Sequence, residues 1–378
     1  MGMVIAIDGY EANIKNRVGI GRFAYELIVG LEKEEKKKHT KDRFFIFLPE
    51  TPRSDLPAET PWWQYRIIPS TFLWTYIGLP IGLGLQNPRP DVVLSPTHYA
   101  PRFSSIPRVI CVMDLSYLYF PELFRRKDLY QLTQWSRWSI LHAHTVLTIS
   151  KYTKFDIMSR YNIGKDRIEV IYPGYSMSTS GKKSFEDIVR TYSLSPSYIL
   201  SVGTLQPRKN YVRLIEAFKI FRETDKKWEE TMLVIVGKRG WLYEEILRAP
   251  EKFHLEGKVR FLEFIPDQDL AMLYRHAEAF VMPSLYEGFG LPVLEAMAHQ
   301  CTVVVSRVSS LPEIAGEAAV YVDPIQVESI ANGMLKAIVE KGSLNGKRRI
   351  EIGLNQVKKF TWQNAAKKTL EVLHAVAH

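Results

Sequence analysis

Cysteine is scarce in this sequence: Cys111 and Cys301 stand far apart, each inside or beside an apolar run. That excludes a disulfide framework and a Cys-x-x-Cys metal pair, and makes a reducing cytosol the expected compartment. No run approaches the roughly 18 apolar residues of a membrane-spanning helix. The opening MGMVIAIDGY lacks the basic-then-apolar layout of a secretory leader, and Ala6 stands where a myristoylation signal carries Ser or Thr. Neither export nor an acyl anchor is therefore expected. No Gly-x-Gly-x-x-Gly occurs, which argues against dinucleotide-dependent redox chemistry. No Asp-x-Asp stands at a strand end, so neither a divalent metal nor any other cofactor is expected.

The 378 residues exceed one ordinary core and suit two domains. The net charge is +9, and residues 1–180 carry most of it, with 23 Lys+Arg against 17 Asp+Glu. Basic chains meet nucleic acid, anionic lipid or phosphate. Here the cations are scattered. The main cluster, Lys33 to Lys41, is interleaved with Glu34 and Glu35 and reads as the solvated end of a helix and loop. No nucleic-acid partner is expected.

Short apolar runs, each followed by a helix-length segment, recur along the whole chain. In the first half they are Met3–Ile7, Phe44–Leu48, Asp91–Ser95, Arg108–Val112, Thr145–Ile149 and Ile168–Tyr172. In the second they are Tyr198–Val202, Met232–Val236, Val259–Phe264, Ala279–Met282, Thr302–Val305 and Ala319–Val322. This alternation predicts buried parallel strands in βαβ units, hence two Rossmann-like, doubly wound α/β domains. They are expected at residues 1–178 and 184–360, divided within Gly174–Ser184, where Ser, Thr, Gly and Lys accumulate without periodicity. An amphipathic helix over Thr361–Val376 closes the chain. Doubly wound sheets bind ligands beyond the carboxyl ends of their strands, so chemistry belongs in those loops.

Three loops qualify. Gly19-Ile20-Gly21-Arg22 precedes a helix predicted over Phe23–Leu31; its glycines either let backbone approach a phosphate or form a simple helix entry. Gly203-Thr204-Leu205-Gln206-Pro207-Arg208-Lys209-Asn210 sets two adjacent cations at a strand's carboxyl end, well placed for a diphosphate. Pro283 to Ala298 joins a strand to a helix through Glu287, Gly288, Phe289, Gly290 and Leu291, with Pro292 in the helix's first turn. Free amides at Gly288–Leu291 and the positive helix end suit an anion. Glu287 and Glu295 beside such a site need hydroxyls to bind, which a ribose and a sugar supply; alternatively, Glu295 only complements the helix dipole.

The run Glu287-Gly288-Phe289-Gly290-Leu291-Pro292 followed by Glu295, with Gly203-Thr204 and Pro207-Arg208-Lys209-Asn210, resembles the retaining glycosyltransferases of family 4, also called group 1, of GT-B fold. Ser309-Ser310-Leu311-Pro312-Glu313, Val322-Asp323-Pro324, Thr148-Ile149-Ser150-Lys151 and Gly19-Ile20-Gly21-Arg22 extend the likeness over nearly the whole chain. It implies two Rossmann-like domains facing across a cleft: an N-terminal acceptor domain, a C-terminal nucleotide-sugar donor domain, and a last helix, residues 361–378, returning to the first. It further implies that Arg208 and Lys209 bind the donor diphosphate and stabilise the leaving nucleotide. Glu287 would hold hydroxyls of the transferred sugar, Gly203, Gly288, Phe289, Gly290 and Leu291 would line the donor site, and Glu295 would bind the ribose. Gly19 and Gly21 would close the site from the other domain.

The chain departs from the family pattern after Arg108–Val112. Many relatives carry His-Asp there, the His touching the transferred sugar; this sequence has Met113-Asp114, and a thioether cannot donate a hydrogen bond. His98, in another strand-end loop, is either a substitute contact or structural. Asp114 is either an acid at the catalytic edge or a turn and cap residue. The resemblance implies hexose transfer, mannose by preference, with retention and without metal, from a guanosine or uridine diphosphate sugar to a glycan or lipid-linked acceptor in polysaccharide biosynthesis. The aromatic stretches Trp62-Trp63 and Phe72 to Pro80 either dock on a membrane, making the enzyme peripheral at its inner face, or form a packed helix over the sheet.

Overall fold

The computed structural model describes residues 2–17, 19–38, 41–70, 73–175 and 183–377. Two compact units divide the chain: Met1–Gly174 with Phe360–His378, and Tyr175–Lys359. Most of the Gly174–Ser184 linker, and Phe72 of the aromatic stretch, lie outside the described residues.

The first unit holds seven parallel strands: β1 (Val4–Asp8), β2 (Arg43–Leu48), β3 (Trp63–Ile67), β4 (Val92–Ser95), β5 (Arg108–Val112), β6 (Thr145–Thr148) and β7 (Ile168–Val170). They lie in the order β3-β2-β1-β4-β5-β6-β7, every pair parallel. The second holds β8 (Tyr198–Val202), β9 (Met232–Val236), β10 (Val259–Leu262), β11 (Ala279–Met282), β12 (Val303–Ser306) and β13 (Val320–Val322). Their order is β10-β9-β8-β11-β12-β13. Both orders start from an interior strand, wind one way and then reverse. The reversal opens a crevice between β1 and β4 in one sheet and between β8 and β11 in the other, where doubly wound sheets take ligands.

The strands form where the apolar runs stand because helices cover both faces of each sheet, leaving no polar face to alternate with. β1 and β8 are buried almost throughout. In the second unit Phe218, Phe221, Leu233, Ile235 and Val281 join one core cluster. The closing helix runs Trp362–Ala377 and packs on Ile20–Lys38, with Phe23 and Trp362 ring centroids 5.8 Å apart. That first helix begins at Ile20, three residues earlier than the sequence suggests, so Gly21 and Arg22 belong to its first turn.

One strand escapes the sequence reading. β3 runs Trp63-Gln64-Tyr65-Arg66-Ile67 at the sheet edge, where polar residues alternate with apolar ones instead of forming a continuous run. Trp63 is fully buried against Phe44, ring centroids 5.2 Å apart. Trp74 is buried as well. Neither tryptophan is available to a bilayer, because both are spent on the core of the first unit. Among the described residues no helix is long and apolar enough to cross a membrane.

Candidate active site

In the second unit the crevice between β8 and β11 brings together the two loops singled out by sequence. After β8, Pro207–Lys209 forms one short helical turn, and Asn210 follows at φ 64°. The Asn210 amide donates to the carbonyls of Pro283, 2.9 Å away, and Pro324, 2.7 Å away, tying the cation loop to the loops after β11 and β13. Leu285 N–H donates to the Arg208 carbonyl at 2.9 Å, a second tie across the switch point.

These ties hold the charged side chains at one spot. Lys209 Nζ lies 2.6 Å from Glu287 Oε1, and Arg208 Nη1 lies 3.3 Å from Glu287 Oε2 and 2.6 Å from the Tyr286 carbonyl. Burial by itself would raise the Glu287 pKa, but the neighbouring charges of Lys209 and Arg208 win and hold it below the usual carboxylate value. The cluster is therefore two cations against one carboxylate, a net positive charge at a strand end. An isolated buried cation would be costly; the shared carboxylate makes this arrangement tolerable while leaving attraction for an anion.

The Glu287 loop is fixed from below. Glu287 N–H donates to Ser309 Oγ at 2.8 Å, and Ser310 Oγ–H reaches the carbonyls of Glu287 and Phe289, both 2.9 Å away. The Ser309-Ser310 pair thus shapes the loop. Gly290 precedes the helix Leu291–Ala298 at φ 113°, and a Cβ there would stand 2.9 Å from Leu311 Cδ2. Gly288, Phe289 and Gly290 are buried beside this helix start, and Leu291 opens the helix. Glu295, one turn in, accepts from Tyr274 Oη–H at 2.7 Å. Behind Gly203, a Cβ on Gly237 would sit 2.0 Å from the Gly203 carbonyl oxygen, so only glycine lets β9's end pass so close to the loop after β8. Asp267-Gln268-Asp269 is the one place where an Asp-x-Asp follows a strand closely. It opens the helix Asp267–His276, and Asp269 is held by Lys183 and Tyr192, each 2.7 Å away.

The first unit assembles a different group. Its β1–β4 crevice opens into a cavity of about 550 Å³ lined by the ends of both strands, the Trp74 loop and the helix Arg126–His142. Asp8 closes β1, and its Oδ1 accepts from Trp74 Nε1–H at 2.8 Å and Tyr10 N–H at 3.2 Å. Burial raises its pKa to about 6, against the lowering effect of those two bonds. Glu11 is raised too, by burial and then by Asp8's charge. His98 lines this cavity, and its buried Nδ1 has no hydrogen-bond partner among the described residues. Burial lowers the His98 pKa against the opposing pull of Asp114, so the ring is neutral at pH 7.

Met113 and Asp114 are not among the lining residues. The Met113 side chain is buried, and Asp114 Oδ1 accepts from Ser116 N–H at 2.9 Å and Ser116 Oγ–H at 2.7 Å, a local turn before the helix. Gly19, at φ 52°, starts the turn into the first helix. A Cβ on Gly21 would press on Ile14 Cδ1 at 2.9 Å, so its smallness serves packing here. Asp8 and Trp135 line this cavity without having been singled out in the sequence, whereas Trp74 stood in the aromatic stretch Phe72 to Pro80. The available signal for Asp8 was its place at the end of the first strand, next to the switch point.

Asp8 carries a prediction. A buried carboxyl with its pKa raised from 3.8 to about 6 destabilises the fold increasingly as pH rises between those values, and in full above them. Asp8→Asn keeps an oxygen for Trp74 and Tyr10 but never ionises. Urea unfolding should find the variant more stable than wild type by up to about 3 kcal/mol at pH 8, with the difference vanishing near pH 4. Equal stability at pH 8 would show that Asp8 ionises without penalty.

Comparison with known proteins places the chain in a family. Residues 187–352 match the model of the family described as glycosyl transferases group 1, and residues 19–178 match that of glycosyltransferase family 4. The O-antigen chain mannosyltransferase B of Escherichia coli is 30% identical over 374 residues, covering 93% of this chain and 94% of that one. The chain belongs to the group 1 glycosyltransferases. Among solved structures, the sucrose-phosphate synthase from Thermosynechococcus elongatus superposes with a TM-score of 0.74 at 16% identity, over 99% of both chains. Anabaena Alr3699/HepE, solved in complex with UDP-glucose, gives 0.72 at 15% identity, over 99% of this chain and 100% of that one. Both show that this glycosyltransferase has the GT-B fold, two parallel sheets flanked by helices.

Proposed function

We propose that this glycosyltransferase moves mannose from a nucleoside diphosphate sugar to a glycan or lipid-linked saccharide, with retention and without a metal. The observation that carries the reading is the cluster of Arg208 and Lys209 on Glu287 at the β8–β11 switch point. Breaking the sugar–phosphate bond adds negative charge to the departing diphosphate and leaves an oxocarbenium-like sugar. Arg208, Lys209 and the helix start at Leu291 stand ready for the first; Glu287, kept ionised, suits the second and the sugar hydroxyls. Charge stabilisation by fixed protein cations is the role a divalent ion fills elsewhere. Glu295, beside Tyr274, is placed to take the ribose hydroxyls. The departing phosphate is the proposed base for the acceptor hydroxyl. The mannosyltransferase relative supports the sugar, and the UDP-glucose complex supports a nucleoside diphosphate donor.

The test is transfer from GDP-mannose and UDP-glucose to a mannose oligosaccharide, with and without excess EDTA, the new linkage being read by NMR. The expected result is an α-mannosyl product from the α-linked donor at a rate EDTA does not change. A β-linked product, or activity abolished by EDTA and restored by a divalent cation, would overturn the mechanism.

A further inference from the structure

β13 is the last strand of the second sheet, and beyond it lies a cavity of about 560 Å³, the volume of a small-ligand site. The strand, the start of the loop after β12 and the helices Val327–Glu340 and Leu344–Val357 line it. Arg307, Lys336 and Arg349 enter it, and no carboxylate is among its described lining residues. Arg349 is held in place: its Nε lies 2.9 Å from Glu340 Oε2, and its Nη1 donates to the Ala319 carbonyl at 2.8 Å, which leaves Nη2 for a ligand. Arg307 lies over the Tyr321 ring, 4.7 Å from its centroid, and neither Arg307 nor Lys336 enters an ion pair among the described residues. On the helix Val327–Glu340, Ser329, Asn332, Gly333 and Lys336 share one face. Gly333 lets that face approach the strand, because a Cβ there would collide with Val322 and Val304. Ser329 Oγ accepts from Asp323 N–H at 3.0 Å, so its own O–H remains to donate.

These charges select an anion. Three cations against the single carboxylate behind them, Glu340, leave a surplus of two, which a phosphate monoester dianion offsets. Guanidinium forks match phosphate oxygens in pairs, and a neutral sugar would leave the charges unanswered. We propose that this cavity binds the phosphate group of a phosphomonoester on Arg307, Lys336 and Arg349 Nη2, with Ser329 and Asn332 on the hydroxyls beside it. The site is separate from the β8–β11 crevice, since none of its described lining residues belongs to the loops after β8 or β11.

Calorimetry of mannose 6-phosphate against protein already saturated with GDP tests the assignment, the nucleotide being there to fill the β8–β11 crevice. Wild type should take up the ester, and mannose itself should give no heat. Arg307→Gln and Lys336→Gln should each weaken binding roughly tenfold or more, the cost of one charge-assisted hydrogen bond. Pelleting with phosphatidylcholine vesicles containing phosphatidic acid, run in parallel, separates a lipid headgroup from a soluble ester. Wild type carried down by these vesicles, with Arg307→Gln and Lys336→Gln left in solution and no heat from mannose 6-phosphate, would assign the phosphate to a lipid. Lys336 is an exposed helix residue, so Lys336→Gln carries the test should Arg307→Gln disturb Tyr321. Wild type that binds neither probe, binds mannose as well as its phosphate, or binds no better than Lys336→Gln would overturn the proposal. If GDP fails to bind, the same two variants still show whether the ester sits at β13.

Discussion

Replacing Arg208 by alanine should lower kcat by roughly 10²- to 10³-fold, the usual cost of removing one preorganised charge-stabilising donor. Lys209→Ala should do the same. In each case the remaining cation still pairs with Glu287, whose oxygens lie 2.6 Å from Lys209 and 3.3 Å from Arg208, so the loop keeps its shape. Glu287→Gln should separate binding from chemistry. Without its carboxylate the site is more cationic, and a nucleoside diphosphate should bind at least as tightly as in wild type; yet kcat should fall, because the positive charge developing on the sugar loses its counter-charge. Steady-state kinetics with GDP inhibition constants would check all three. Unchanged kcat in Arg208→Ala and Lys209→Ala alike would mean that the pair serves only to fold the loop.

Gly290→Ala should damage both the stability of the second unit and its hold on a nucleoside diphosphate. At φ 113° and ψ 46° the residue occupies backbone space that side chains avoid, and the added carbon would meet Leu311 Cδ2 at 2.9 Å. Strain of this kind costs about 1 to 3 kcal/mol. Relief requires the loop to shift at the point where the Leu291–Ala298 helix offers its first amides. Stability measured by denaturant should drop by that amount, and nucleoside diphosphate affinity should fall roughly tenfold or more. A variant that keeps full affinity would show that the helix start is not part of the anion site.

The two loops at the β8–β11 switch point were readable because their sequence carries several constraints at once. Pro207, Arg208, Lys209 and Asn210 follow an apolar strand directly, and the glycines around Phe289 lead into a helix with proline in its first turn. No core position wants that pattern. What the sequence could not show is the scaffold beneath. Ser309 and Ser310 look like ordinary polar loop residues until their hydroxyls are seen bonding the Glu287 loop. β3 was lost for a physical reason: an edge strand tolerates polar alternation, so Trp63, open in sequence between membrane docking and packing, is core within a strand and not a covering helix. Asp114 holds Ser116 through Oδ1, a bond the sequence does not announce. Asp8 offered only its place at the end of the first strand, because a single acid after an apolar run gives no sign of whether it ends in water or beneath a tryptophan.

The most direct measurement is a crystal structure of the enzyme with a nucleoside diphosphate bound. The β-phosphate should lie within hydrogen-bond distance of Lys209 Nζ and the Gly288–Leu291 amides, with Arg208 on the same group and the ribose at Glu295. Density for the nucleotide in the Asp8–Trp135 cavity, or anywhere that leaves Arg208, Lys209 and Glu287 untouched, would contradict the assignment of the donor site.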